Sequence, residues 1–283
     1  MLSLPCPIDD AETVFLEAAA RTKNAVLRRQ LLGASAHVKN RSAEYVRLAK
    51  LEKLFELAVA TIVGVDGSDL AKVYDRVLVK GKGRPLYDRI KAAAKFRRCP
   101  LCGERDVRTL DHYLPKESFP ELAVFPANLI PSCSDCNKIK LTHVAGCHAE
   151  QTFHPYFDDW GANRILSASV TVTTSVEVVF GIAQLAALSD AAFARASYHF
   201  ETLELGVLYT AKAAVELVES KDTFRRNFHA GGATVLRSEL RLTAESRGRV
   251  NPNSWRAALY WGLTSSSDFC EGGFNLIDET ILP

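Results

Sequence analysis

Between residues 11 and 62 the chain repeats apolar residues at three- and four-residue intervals, the spacing that gathers them on one side of an α-helix. It does so in three runs, 11–20, 24–37 and 42–62. In the third, Tyr45, Leu48, Leu51, Phe55 and Val59 share a side, Glu44, Arg47, Lys50 and Lys53 make a wet one, and Ser42 is placed as an N-cap. Residues 1–95 therefore read as a helical region whose apolar faces pack on one another. Beyond Trp160 the period falls to two: Val170, Val172, Val176, Val178 and Phe180 share one face, the mark of a strand or hairpin. Helical spacing returns over 190–219, 232–246 and 255–264, the last preceded by Asn253 and Ser254, either of which can cap it. The pattern predicts an α+β protein with a mainly helical N-terminal region (1–95), a central segment (96–157) and a C-terminal hairpin with helices (158–283).

Composition narrows the class. The 283 residues are 47% hydrophobic and 24% charged, enough for a buried core and too apolar for a disordered chain. Thirty-five Lys and Arg against 33 Asp and Glu leave a net charge of +2, so no global field announces a polyanionic partner. The attraction, if any, is local. From Lys72 to Lys116 thirteen basic residues face five acidic ones, and Lys80, Lys82 and Arg84 sit in a glycine-spaced stretch that reads as a flexible basic loop. No apolar run approaches the ~20 residues of a membrane span. The N-terminus carries no basic leader with an apolar run, so the expected location is the cytoplasm.

Four of the seven cysteines form two C-x-x-C pairs, Cys99 with Cys102 and Cys133 with Cys136, separated by 30 residues. Paired thiolates at this spacing suit a tetrahedral Zn²⁺ ion held by two tight knuckles. With all four positions filled by sulfur the ion keeps no open site, so its expected role is structural. Cys147 and His148 lack a matching pair and read as loop residues.

Between and after the knuckles lie Asp111 and His112, then Asn128, then Asn137 directly after Cys136. In this order and setting the segment resembles the HNH endonuclease family, whose core is a ββα fold gripping one divalent metal. The resemblance covers residues 96–157. It implies that Asp111 and Asn137 hold a catalytic Mg²⁺ or Mn²⁺, that His112 is the general base, and that Asn128 steadies that histidine through a loop contact. It also implies hydrolysis of DNA, duplex by default, to a 5′-phosphate product. Arg97, Arg98, Lys116, Lys138 and Lys140 are the expected phosphate contacts, and His154, in a segment that closes the nuclease unit in one group of these proteins, is a further candidate ligand. The motif context looks like the nuclease subunit of Septu-type anti-phage systems, which is paired with an ATPase; the flanking regions would then dock that partner. The alternative is a zinc-stabilised nucleic-acid-binding or adaptor protein in which the core has lost its cutting role.

Overall fold

Asp10 opens the first helix by accepting the amide of Thr13 (2.8 Å) on its carboxylate, and α1 runs Ala11–Ala20. Asn24 does the same for α2 (Ala25–Gly33), taking the amides of Val26 and Leu27, each at 3.0 Å. These elements come from a computed structural model, which describes residues 1–160 and 163–280. The second expected helix stops at Gly33, and α3 (Ser35–Lys50) begins seven residues before Ser42. Ser42 is thus a buried residue of the helix interior and caps nothing. The third helix also ends early. Glu52 takes a left-handed conformation (φ 57°), Lys53 N reaches Leu48 O (2.8 Å) and Glu52 N reaches Ala49 O (3.0 Å), the paired bonds of a Schellman stop. Leu51, Phe55 and Val59 therefore lie beyond the helix, with one 3₁₀ turn at Leu54–Glu56.

Asp66 caps α4 (Gly67–Val73), which continues into a π-helical segment, Tyr74–Val79. Instead of an open loop, a tight turn follows, and Arg84 already belongs to α5 (Arg84–Ala92). Strands β1 (Thr109–His112) and β2 (Leu129–Ser132) pair antiparallel with Asp111 opposite Ile130 and His112 opposite Leu129. Helix α6 (Ser134–Lys140) completes a ββα unit. Leu110 and Leu129 from the two strands enter the same apolar core as Phe15, Leu31, Val38, Leu70, Leu78 and Ile90. The N-terminal helices and the ββα segment accordingly form one compact unit, Met1–Asp159.

The other unit is Trp160–Pro283. Its hairpin pairs β3 (Leu166–Val172) with β4 (Val176–Ile182), placing Val170 opposite Val178 and Val172 opposite Val176 on the shared apolar face. The helical run expected over 190–219 is interrupted where Glu204 turns left-handed: α7 covers Asp190–Thr202 and α8 runs Leu205–Val250, through 220–231 as well. A kink falls at Gly231 and Gly232, the second at φ +67° and ψ −157°, a region open in practice to glycine alone. Ser254 caps α9 (Trp255–Ser265) through Ala257 N (3.2 Å). Asn253 has a different task, accepting the amides of Ile165 and Leu166 and donating to the carbonyls of Trp160 and Asn163. Among the described residues no helix is long and apolar enough to cross a membrane.

Leu31 is fully buried on α2 whereas Val26, on the same helix, is 67% exposed. Leu31→Ala is expected to cost about 2–5 kcal/mol in denaturant melts and Val26→Ala less than about 0.5 kcal/mol. Equal losses at the two positions would contradict the assigned face.

Candidate functional site

The two cysteine knuckles meet. Each of the four sulfurs lies within 4.8 Å of every other and all four residues are buried, against about 3.8 Å between sulfurs around a tetrahedral Zn²⁺ with bonds near 2.3 Å. Local backbone geometry aims them. In the first knuckle Gly103 adopts φ +68° and donates to Cys99 O (2.7 Å), while Arg105 N approaches Cys102 Sγ (3.5 Å). In the second Cys133 is the N-cap of α6, its sulfur accepting from Cys136 N (3.4 Å). Hydrogen bonds among the thiols pull Cys102 well below the ordinary thiol range, and they push Cys99 and Cys136 above it. Four buried sulfurs so close cannot all ionise without a cation between them, so the donor set fits a soft divalent ion. Asp135 pairs with Arg105 (2.8 Å), tying one knuckle to the other.

The cage fixes where α6 lies relative to β1, and that decides the neighbouring pocket. Asp111 and His112 are adjacent on β1 and so project to opposite faces. His112 Nε2 is 2.9 Å from the carbonyl of Ala123. A carbonyl only accepts, so Nε2 carries the hydrogen and Nδ1 is left as the basic nitrogen. Tyr74 from the π-helical segment packs its ring edge-on to the imidazole (4.5 Å between centroids) and donates to Leu110 O (3.2 Å). Burial lowers the His112 pKa to about 4, so the ring is neutral near pH 7.

On the other face Asp111 is buried, and its Oδ2 has no hydrogen bond. Burial raises its pKa, opposed by the Lys140 ammonium 3.5 Å away. That ammonium faces Oδ2 itself, an oxygen that a cation satisfies whether it is a lysine or a hard metal ion. Lys140 also donates to His112 O (2.6 Å). Asn137 is half-buried and lies three residues before Lys140 on α6, the spacing that puts two residues on neighbouring positions of one helix face.

Asn128 makes no hydrogen bond to the His112 ring. Its Oδ1 accepts from Leu114 N (2.8 Å), and its Nδ2 donates to Leu114 O (3.0 Å) and Leu122 O (3.3 Å). The effect on His112 passes through the loop, because Leu122 precedes the Ala123 carbonyl that holds the imidazole. His154 is committed to packing, contrary to the ligand expectation: Nδ1 accepts from Tyr156 N (3.2 Å), Nε2 meets Tyr45 Oη (2.9 Å), and the ring stacks near Tyr113 and Phe157. Several expected phosphate contacts are also engaged. Lys140 is turned inward as described, Arg98 binds Glu104 O and Asp106, and Lys116 pairs with Asp75 (2.9 Å) over the Tyr74 ring. Arg97 and Lys138 are exposed. His148 pairs with Glu52 (3.2 Å), and Cys147 is exposed.

Sequence reasoning missed three supports of the pocket: Tyr74, Arg41 and Glu121. Glu121 is 1% exposed, bonds Arg41 (3.0 Å), and lies two residues before Ala123; Arg41 also reaches Glu44 (2.7 Å) and Ala58 O (2.5 Å). No motif marks these residues, since the partners are 80 positions apart.

No protein-family model matches the chain, and no solved structure matches it. Protein ea31 of Escherichia phage lambda is 27% identical over 220 residues, which is 72% of this chain and 74% of that protein. Septu protein PtuB of Bacillus thuringiensis is 44% identical over 45 residues, 16% of this chain and 18% of that protein's length.

Metal analysis of the purified chain is expected to find about one zinc per molecule, because a Cys₄ site closes around a single ion. Cys99→Ser and Cys136→Ser should each lose the metal and the cooperative melt together. A metal-free wild type with an unchanged melt would contradict the assignment.

Proposed function

We propose that this chain is a metal-dependent nuclease of the HNH kind that hydrolyses phosphodiester bonds in DNA. The observation that carries the reading is on β1: a neutral imidazole whose Nε2–H is held by the Ala123 carbonyl, next to a buried carboxylate with an oxygen lacking a hydrogen bond. Phosphodiester hydrolysis needs a base for the attacking water and positive charge at the phosphate oxygens. His112 is the base, taking the proton at Nδ1 while Nε2 keeps the ring oriented. A hard divalent ion such as Mg²⁺ or Mn²⁺, held by Asp111 and Asn137, would supply the charge. Asn128 and the Arg41–Glu121 pair act as positioning residues, since both hold the segment that carries Ala123. Water then attacks phosphorus, the bond to the 3′ oxygen breaks, the 3′ oxygen takes a proton from solvent water to become a hydroxyl, and the product keeps a 5′ phosphate.

The likeness to Septu protein PtuB supports a role in Septu-type defence against phage, and an ATPase that regulates the cutter is the partner proposed with it. The unit from Trp160 is the proposed docking part, and the cytoplasm the proposed location. Lys140 favours a second reading, a zinc-stabilised binding or adaptor protein, because its ammonium already neutralises Asp111 at 3.5 Å.

Cleavage of plasmid DNA with Mg²⁺ or Mn²⁺ separates the two. Wild type should cut, and His112→Ala should be slower by about 10²–10⁴-fold, the usual contribution of a general base. Two equally inert proteins, with the ATPase partner present, would leave the adaptor reading; equal cutting would remove His112 from its role.

A further inference from the structure

The turn between α1 and α2 and the π-helical segment with its following turn enclose a groove of about 880 Å³. Val73 and Val77 contribute to its lining, as do five cations: Arg21, paired with Glu17 (3.9 Å), and Lys23, Arg76, Lys80 and Lys82. The last four are exposed. Among the described residues none of the four has a carboxylate within 4.0 Å; the acid lining the groove, Asp69, is engaged by Lys72 (3.5 Å). Near the ββα unit, among the described residues, Arg98, Lys116 and Lys140 each hold a carboxylate whereas Arg97 and Lys138 do not.

The chain is built to hold these charges together. A Cβ on Gly81 would come within 2.4 Å of the Arg76 carbonyl, so only glycine lets the turn fold back onto the π-helical segment and set Lys80 and Lys82 beside Arg76. Four like charges crowded without counter-charge repel one another, and an arrangement of this kind is favourable once a polyanion fills it. The same six-residue segment presents Tyr74 to His112 and Arg76 to the groove. No aromatic residue lines the groove, which leaves no platform for stacking bases and suits the phosphate backbone of a duplex.

We propose that this groove is a sequence-neutral contact for the phosphate backbone of duplex nucleic acid. It takes the identity of the polymer from the nuclease reading, and its test is kept separate from cleavage.

The full chain would be titrated with labelled duplexes of about 30 base pairs, one DNA and one RNA, with Ca²⁺ replacing Mg²⁺, over a series of salt concentrations. For the better-bound duplex, Lys80→Ala/Lys82→Ala should lower the slope of log K against log salt by about 1.8, at roughly 0.9 per lost phosphate contact. Lys80→Arg/Lys82→Arg should keep the slope, and so should His112→Ala. Zinc content and melting midpoint should not change in the two exposed lysine pairs, Lys80→Ala/Lys82→Ala and Lys80→Arg/Lys82→Arg. An Ala pair with the slope and affinity of wild type would overturn the proposal, as would a wild type that ignores both duplexes and binds an acidic helical peptide instead. A wild type that cuts plasmid while the Ala pair keeps its slope sinks the groove alone. A lost slope without any cutting sinks the nuclease reading alone.

Discussion

Everything in the first unit depends on four sulfurs being held within 4.8 Å of one another. The segment between the knuckles contributes only two strands of four residues, and a two-stranded sheet is marginal by itself. The sulfur cluster closes that segment at one end. The apolar core closes it at the other, through Leu110 and Leu129 packed among the N-terminal helices. Between these two anchors β1 and α6 have little freedom, and Lys140 of α6 is brought to Asp111 of β1 at 3.5 Å.

The helices that precede the ββα unit are therefore part of the site's construction. The π-helical segment places Tyr74 against His112, and α3 sends Arg41 to Glu121 beneath the loop that carries the Ala123 carbonyl. Glu121 is fully enclosed, and breaking a buried pair of this kind by removing one partner commonly costs about 3–5 kcal/mol. Such a pair is costly to build, and its place beside the Ala123 carbonyl gives it a use: it leaves the imidazole's Nε2 partner no room to drift.

The parts of this architecture legible in the sequence are those whose chemistry forces a spacing. Two C-x-x-C turns announce the cluster, alternation announces the β3–β4 hairpin, and Ser254 is one of the two caps offered for α9. Boundaries set by tertiary context were not legible. The Schellman stop after Lys50 uses Glu52, where glycine is the usual signal, so the apolar spacing ran on past the true end. The inward turn of Lys140 and the burial of His154 depend on residues far away in the chain, and a charge count treats a paired lysine like a free one. The excess of basic residues between Lys72 and Lys116 counts alike the paired Arg98 and Lys116 and the unpaired Arg76, Lys80 and Lys82 that line the groove.

The central claim is that a single metal gathers all four cysteines and so sets β1 against α6. Zinc K-edge X-ray absorption on the purified chain tests it most directly. Four sulfur neighbours at about 2.3 Å, with no nitrogen or oxygen in the coordination sphere, is the result this account requires. A mixed sulfur and nitrogen shell, or cysteines found oxidised in pairs with no bound metal, would contradict it.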